Sequence, residues 1–122
     1  MILVSGIDLV DIKRFEEVLN KYGDRFTQRV FTNQEVIQAG KNAASLAARF
    51  AAKEAAAKAL GTGIGKVSWQ DIEILRNEAR QPHLFLHGNA ALLGENLGID
   101  IWSISLSHTI NHAIAMVIGI GD

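Results

Sequence analysis

Apolar and polar positions change period several times along the chain, and each change predicts an element. Residues 2–10 are β-branched and apolar apart from Ser5, Gly6 and Asp8, which predicts a first strand. From Asp11 the period lengthens: Ile12, Phe15, Val18, Leu19 and Tyr22 fall on one helical face, Asp11 can accept from the first free amides, and Gly23 stops the helix. A second helical stretch covers Asp24 to Phe31. Thr32-Asn33-Gln34-Glu35 has the capping-box form, which opens a short helix ending by Gly40.

Residues 43–60 break this pattern, because ten of the eighteen are alanine. Such a segment has high helix propensity and almost no side-chain bulk, so it predicts a long helix that a neighbour can approach closely. Gly61-Thr62-Gly63-Ile64-Gly65-Lys66 ends it, with Gly61 suited to the left-handed residue after the last turn. Val67 to Arg76 and His83 to Leu86 read as strands joined by a polar turn, Asn77 to Pro82. Asn89 to Leu97 reads as a short helix stopped by Gly98. Ile101 to Ser107 alternates strictly, placing Trp102, Ile104 and Leu106 on one face and Ile101, Ser103, Ser105 and Ser107 on the other. Ala113 to Ile120 supplies the last strand after a turn over Thr109 to His112. The order condenses to β-α-α-α-β-β-α-β-β and predicts an α+β fold, a small antiparallel-rich sheet packed against the long alanine-rich helix.

Composition narrows the class. With 122 residues, 48% of them hydrophobic, and no repeat or linker, one soluble domain with its own core is expected. No apolar window approaches the length of a membrane span, and Met1-Ile2-Leu3-Val4 runs straight to Asp8 without the marks of a signal peptide, so neither membrane nor export is expected. The absence of cysteine removes disulfides and thiolate chemistry and fits a cytoplasmic setting. The net charge of −1 is unevenly spread: residues 41–66 balance at +4 and residues 67–100 at −3. An anionic ligand suits the first stretch. No basic stripe is interleaved with aromatics, so nucleic acid is not an expected partner.

The candidate chemistry lies in two segments, Ser5-Gly6-Ile7-Asp8 and Arg49 to Gly63. Together they bring two carboxylates, Asp8 and Glu54, and three cations, Arg49, Lys53 and Lys58, a set that suits Mg²⁺ and a phosphate-bearing substrate. Arg49/Lys53 and Glu54/Lys58 are each one helical turn apart. A Glu followed by Lys at that spacing also stabilises any helix by about 0.2–0.5 kcal/mol, so spacing alone is equally met by a solvated pair. The glycine run follows a helix rather than preceding one, so it is no P-loop, and a plain helix stop explains it as well. His83/His87 and His108/His112 have H-x-x-x-H spacing but fall outside predicted helices and have no third ligand, so zinc is not expected. His108 with Thr109 offers donors to a phosphate, or is an ordinary strand-end pair. No G-x-S-x-G elbow accompanies the serines.

These motifs together resemble the holo-[acyl-carrier-protein] synthases, the short bacterial branch of the 4′-phosphopantetheinyl transferases. The likeness rests on Gly6-Ile7-Asp8, on Arg49 to Gly63 with its K-E-A-x-x-K signature, and on Ser105-Leu106-Ser107-His108-Thr109, in order across nearly the whole chain. It implies the phosphopantetheinyl transferase fold and transfer of the phosphopantetheine arm of coenzyme A to a serine of an apo acyl carrier protein, releasing adenosine 3′,5′-bisphosphate. It implies Mg²⁺ held by Asp8 and Glu54, with Lys58 stabilising the departing phosphate, and Glu54 or a water at the metal as the base. By the same resemblance Arg49, Lys53, Gly61, Gly63, His108 and Thr109 line the coenzyme A site. Arg14 matches a position that engages the carrier protein, and Lys21, Arg25 and Arg29 extend that basic edge or are a solvated surface. Val10 stands where some larger relatives have a further acidic residue, and Ser107 where some have threonine. The short branch implies a homotrimer with active sites between subunits. Two rivals share the residues: a binding module without turnover, and a Mg²⁺-dependent phosphohydrolase.

Overall fold

Alternation along the first strand sets the layers. The computed structural model describes residues 1–122. In β1 (Ile2–Asp11) Val4, Gly6, Asp8 and Val10 face inward, while Leu3, Ser5, Ile7 and Leu9 are exposed. β1 pairs antiparallel with β5 (His112–Gly121), which pairs antiparallel with β4 (Ile101–His108), giving the order β1-β5-β4. Ala113, Ala115 and Val117 of β5 are buried on the inward face, and Trp102, Ile104 and Leu106 of β4 pack beside them as the alternation predicts. A separate antiparallel hairpin is formed by β2 (Ile72–Arg76) and β3 (Pro82–Leu86).

The alanine-rich helix, α4 (Ala43–Ala59), crosses the inward face of the larger sheet. Its approach to β1 is close enough to require glycine. A Cβ placed on Gly6 would lie 1.8 Å from the Ala55 carbonyl oxygen. Small residues on both sides thus let helix backbone and strand backbone nearly touch, and the side chains at Asp8 and on the adjoining turns of α4 meet across that seam.

Ahead of α4 come α1 (Ile12–Tyr22), α2 (Asp24–Val30) and α3 (Asn33–Ala39), and α5 (Gly88–Asn96) follows the hairpin. Four helices therefore separate β1 from β2, where the condensed order counted three. α1 starts with the Asp11 carboxylate accepting from the Arg14 amide, and α3 has the full Thr32/Glu35 capping box. Phe15, Phe26 and Phe31 meet edge-on, and Phe50 stacks on Trp69 at 4.8 Å, so α1, α2 and α4 share one aromatic cluster. Tyr22 leaves the apolar face of α1 and is exposed. The strand expected from Val67 begins only at Ile72, because Ser68 and Asp71 form a reciprocal cap around a single 3-10 turn over Trp69–Asp71. Local side-chain bonding to the backbone wins there over strand propensity.

Candidate active site

Asp8 lies three residues before the end of β1, opposite Ala115, with its side chain on the α4 side. Lys58, in the last turn of α4, donates to the Ile7 carbonyl at 2.9 Å and to Asp8 Oδ1 at 3.1 Å. The lysine side chain is 53% exposed and the aspartate 19%, so this is a solvent-screened pair of about 0–1 kcal/mol. An incoming phosphate can therefore take Lys58 over at little energetic cost.

Glu54 sits one turn before Lys58, half-buried, and its carboxylate accepts no hydrogen bond from the protein. Burial pushes its carboxyl above the ordinary 4.5, the charge of Asp8 pushes it further, and Lys58 opposes both. Two carboxylates repelling each other across a seam, one of them without a protein partner, leave an unmet demand for positive charge. A hard dication with oxygen ligands fits that donor set, its remaining positions going to water or phosphate oxygens. No three His, Cys, Asp or Glu side chains converge, so the protein offers only this pair, with Val10 two positions beyond Asp8.

Arg49 and Lys53, expected to line a coenzyme A site, are turned the other way. Arg49 is buried and donates to the Ile74 carbonyl, Ser45 Oγ and Gln38 Oε1. Lys53 is fully buried, paired with Glu35 at 2.7 Å and bonded to the Trp69 and Ile72 carbonyls. Burial lowers the pKa of both, and the Glu35 carboxylate pulls each back up. Lys53 has no proton free for a ligand, and Arg49, with three of its N–H donors engaged inside the protein, is buried away from solvent. On a helix, residues 49 and 53 share one face and residues 54 and 58 the next, and the hairpin covers the first. Sequence spacing could not reveal the covering hairpin.

Gly61 and Gly63 both have positive φ, 83° and 68°, and open space where a Cβ would stand. Their amides bond back to the Lys58 and Ala57 carbonyls, closing the C-terminus of α4. They thus offer room rather than amide donors. His108 and Thr109 lie at the end of β4, where the Thr109 hydroxyl oxygen accepts from the Asn111 and His112 amides. The strand register puts His108 two strands over from Asp8, about 12 Å away, and the cavities beside the two share no residue. His108 borders a depression of about 360 Å³ with Arg76, Arg80, Asn42 and Ser45. Arg76 and Arg80 were missed by sequence reasoning. They belong to a hairpin whose docking beside α4 and β4 leaves no local signal.

Beside Asp8, an apolar pocket of about 300 Å³ is walled by Val10, Phe15, Val18, Phe26 and Phe50, with Arg14 at its edge. Arg14 is exposed, as are Lys21 and Arg25, which do not line the pocket. The Lys21 ammonium rests 5.3 Å from the Tyr22 ring.

Comparison with known proteins names the class to which this fold belongs. The chain is a member of the 4′-phosphopantetheinyl transferase superfamily, whose model matches residues 5–115. Within it, the relatives are holo-[acyl-carrier-protein] synthases. The protein of that name from Herpetosiphon aurantiacus is 45% identical over 126 residues, covering 98% of this chain and 99% of that protein. The crystal structure of the Helicobacter pylori holo-[acyl-carrier-protein] synthase in complex with coenzyme A superposes with a TM-score of 0.87 at 32% identity, over 95% of this chain and 99% of that one. The Neisseria meningitidis synthase also gives 0.87, at 38% identity over 96% and 97% of the two chains. The expected family, α+β fold and enzyme class are those found.

Proposed function

We propose that the chain transfers the 4′-phosphopantetheine group of coenzyme A to a serine hydroxyl of an apo acyl carrier protein, with Mg²⁺, releasing adenosine 3′,5′-bisphosphate. The observation that carries this reading is the seam of α4 and β1, where Asp8, Glu54 and Lys58 meet with the charge pattern a pyrophosphate needs. In the transfer the serine hydroxyl gives its proton to Glu54 or to a water beside it, its oxygen forms a new bond to the phosphorus bearing the pantetheine arm, and the bond from that phosphorus to the adenosine-side phosphate breaks. Asp8 and Glu54 would hold Mg²⁺, which when bound supplies Lewis-acid polarisation and neutralises pyrophosphate charge. Lys58 shifts from Asp8 to the departing phosphate and stabilises its charge.

The remaining contacts follow the cavities. Coenzyme A is long enough to reach from the seam to distant groups, and His108, Thr109 and the open side of Gly61 and Gly63 suit its phosphate and ribose parts. Arg14, Lys21 and Arg25 suit the acidic surface of a carrier protein, steering encounter and orientation more than adding affinity. The bare outer face of the β1-β5-β4 sheet, with Leu3, Ile7, Leu9, Ile101 and Met116 exposed, supports self-association into a homotrimer. That assembly would bring a neighbour's residues to each seam. The reading places the enzyme in the cytoplasm, drawing on the coenzyme A pool there, as a single transferase domain.

The test is the intact mass of an apo acyl carrier protein after incubation with this chain, coenzyme A and Mg²⁺. A gain of one phosphopantetheine, abolished by EDTA, is the expected result. Coenzyme A consumption without any carrier protein would favour the phosphohydrolase, and coenzyme A binding without mass gain a module that lacks turnover.

A further inference from the structure

A buried polar assembly lies outside the seam, on the neighbouring face of α4. Lys53 is fully buried, and its three ammonium protons are matched by three acceptors: Glu35 Oε1 at 2.7 Å, the Trp69 carbonyl at 3.0 Å and the Ile72 carbonyl. Glu35, equally buried, is fixed in turn. Its Oε1 also accepts from the Thr32 amide and its Oε2 from the Ile74 amide, each at 3.0 Å. Lys53 thereby fastens α4 to the start of α3, the 3-10 turn and β2 at once.

Arg49 grips one turn earlier, donating to the Ile74 carbonyl and Gln38 Oε1, but the turns that carry Glu54 and Lys58 have no other anchor of this kind. From Ala51 to Ala59, Lys53 is the only fully buried side chain longer than a methyl group. Alanine surfaces present weak ridges, and the close contact at Gly6 sets how near α4 lies to β1 rather than how it is rotated. Rotation matters because a carboxylate stands roughly 5–6 Å from the helix axis, so a turn of about 20° would carry it about 2 Å. Functional groups need placement within about 0.5 Å.

We propose that Lys53 is a positioning residue: its buried pairing with Glu35 sets the rotation of α4, and so where Glu54 meets Asp8. The proposal rests on the reading of Asp8 and Glu54 as the ion-holding pair. Lys53 touches no ligand in this role, and its place beside Glu54 in the chain is what makes the coupling direct.

The test replaces the buried pair with apolar side chains of similar volume, Lys53→Met with Glu35→Met, so that neither charge is left buried without its partner. Three quantities are read on the full chain: the thermal midpoint, the calorimetric Kd for Mg²⁺ in the presence of coenzyme A, and kcat for transfer. The expected result is a folded variant with a lowered midpoint, because the Thr32 and Ile74 amides and the Trp69 and Ile72 carbonyls lose their partners, and with the Mg²⁺ Kd raised and kcat lowered, each by about tenfold or more. A merely structural pair would move only the midpoint, so a folded double variant with native Kd and kcat overturns the proposal. Should the double variant fail to fold, Glu35→Gln is used, which keeps the shape and removes the charge. A raised Mg²⁺ Kd then sustains the proposal, and an unchanged one overturns it. If the wild type takes up no ion, the metal reading falls by itself and kcat decides: a native kcat in the double variant removes the positioning role too, and a lowered kcat retains it.

Discussion

In the proposed reaction Glu54 is the residue on which the chemistry would turn, because it alone joins partial burial, the field of Asp8 and a carboxylate without a protein hydrogen bond. Glu54→Gln should abolish transfer with the fold intact. Its stability should change in a defined direction. A carboxyl whose folded pKa lies above its unfolded one is bound to its proton more tightly in the fold, so the ionised form costs stability at neutral pH. In the wild type this group therefore adds stability as pH falls through the raised value toward 4.5, and the substituted chain should lose that increment while melting no lower at pH 7. Thermal melts across pH, without added metal, measure both. Lys58→Ala separates binding from turnover: removing the cation proposed to serve the departing phosphate should lower kcat by about 10²-fold or more, with the KM for coenzyme A changed far less. Equal losses in kcat and affinity would instead assign Lys58 to ground-state binding.

At the scale of elements, the seam depends on one missing side chain. Gly6→Ala would push a methyl group into the Ala55 carbonyl, and backbone cannot yield as a flexible side chain does. Overpacking of this kind costs about 1–3 kcal/mol or more, and here the strain falls between the strand that carries Asp8 and the helix that carries Glu54. Loss of transfer exceeding the loss of folded protein, measured by activity against circular dichroism, is the expected outcome. Much of this was legible beforehand: the alanine run announced a closely packed helix, and Asp11, the Thr32/Glu35 box, Gly23, Gly40 and Gly61 marked helix ends by their own chemistry. Arg49 and Lys53 were not legible, since four-residue spacing says that two side chains share a face but not what covers it. The cover is Glu35 and the β2–β3 hairpin, brought in from tens of residues away. Ser68 and Asp71 shortened β2 for a local reason that could have been read, as a capping pair three residues apart.

At the scale of the molecule, the β1-β5-β4 sheet is covered by α4 on one side and bare on the other. Its exposed row of Leu3, Ile7, Leu9, Ile101 and Met116 came from the same alternation that placed Asp8 and Val10 inward. Alternation announces two faces but does not say that the outer one lacks a cover within the chain. Native mass spectrometry should find a trimer, and a charge placed at Leu9 should shift it toward monomer with transfer lost alongside. The separation between Asp8 and His108 belongs to the same question, because a neighbouring chain can bring a second set of His108 and Thr109 to each seam. Above these assemblies stands the claim that the Asp8–Glu54–Lys58 seam performs the transfer. The measurement that tests it most directly is the intact mass of an apo acyl carrier protein incubated with coenzyme A and either the wild type or Glu54→Gln, across a series of Mg²⁺ concentrations. The account predicts that the carrier gains one phosphopantetheine with the wild type in a Mg²⁺-dependent way and gains none with the folded variant. Equal, Mg²⁺-independent gains with both would contradict it.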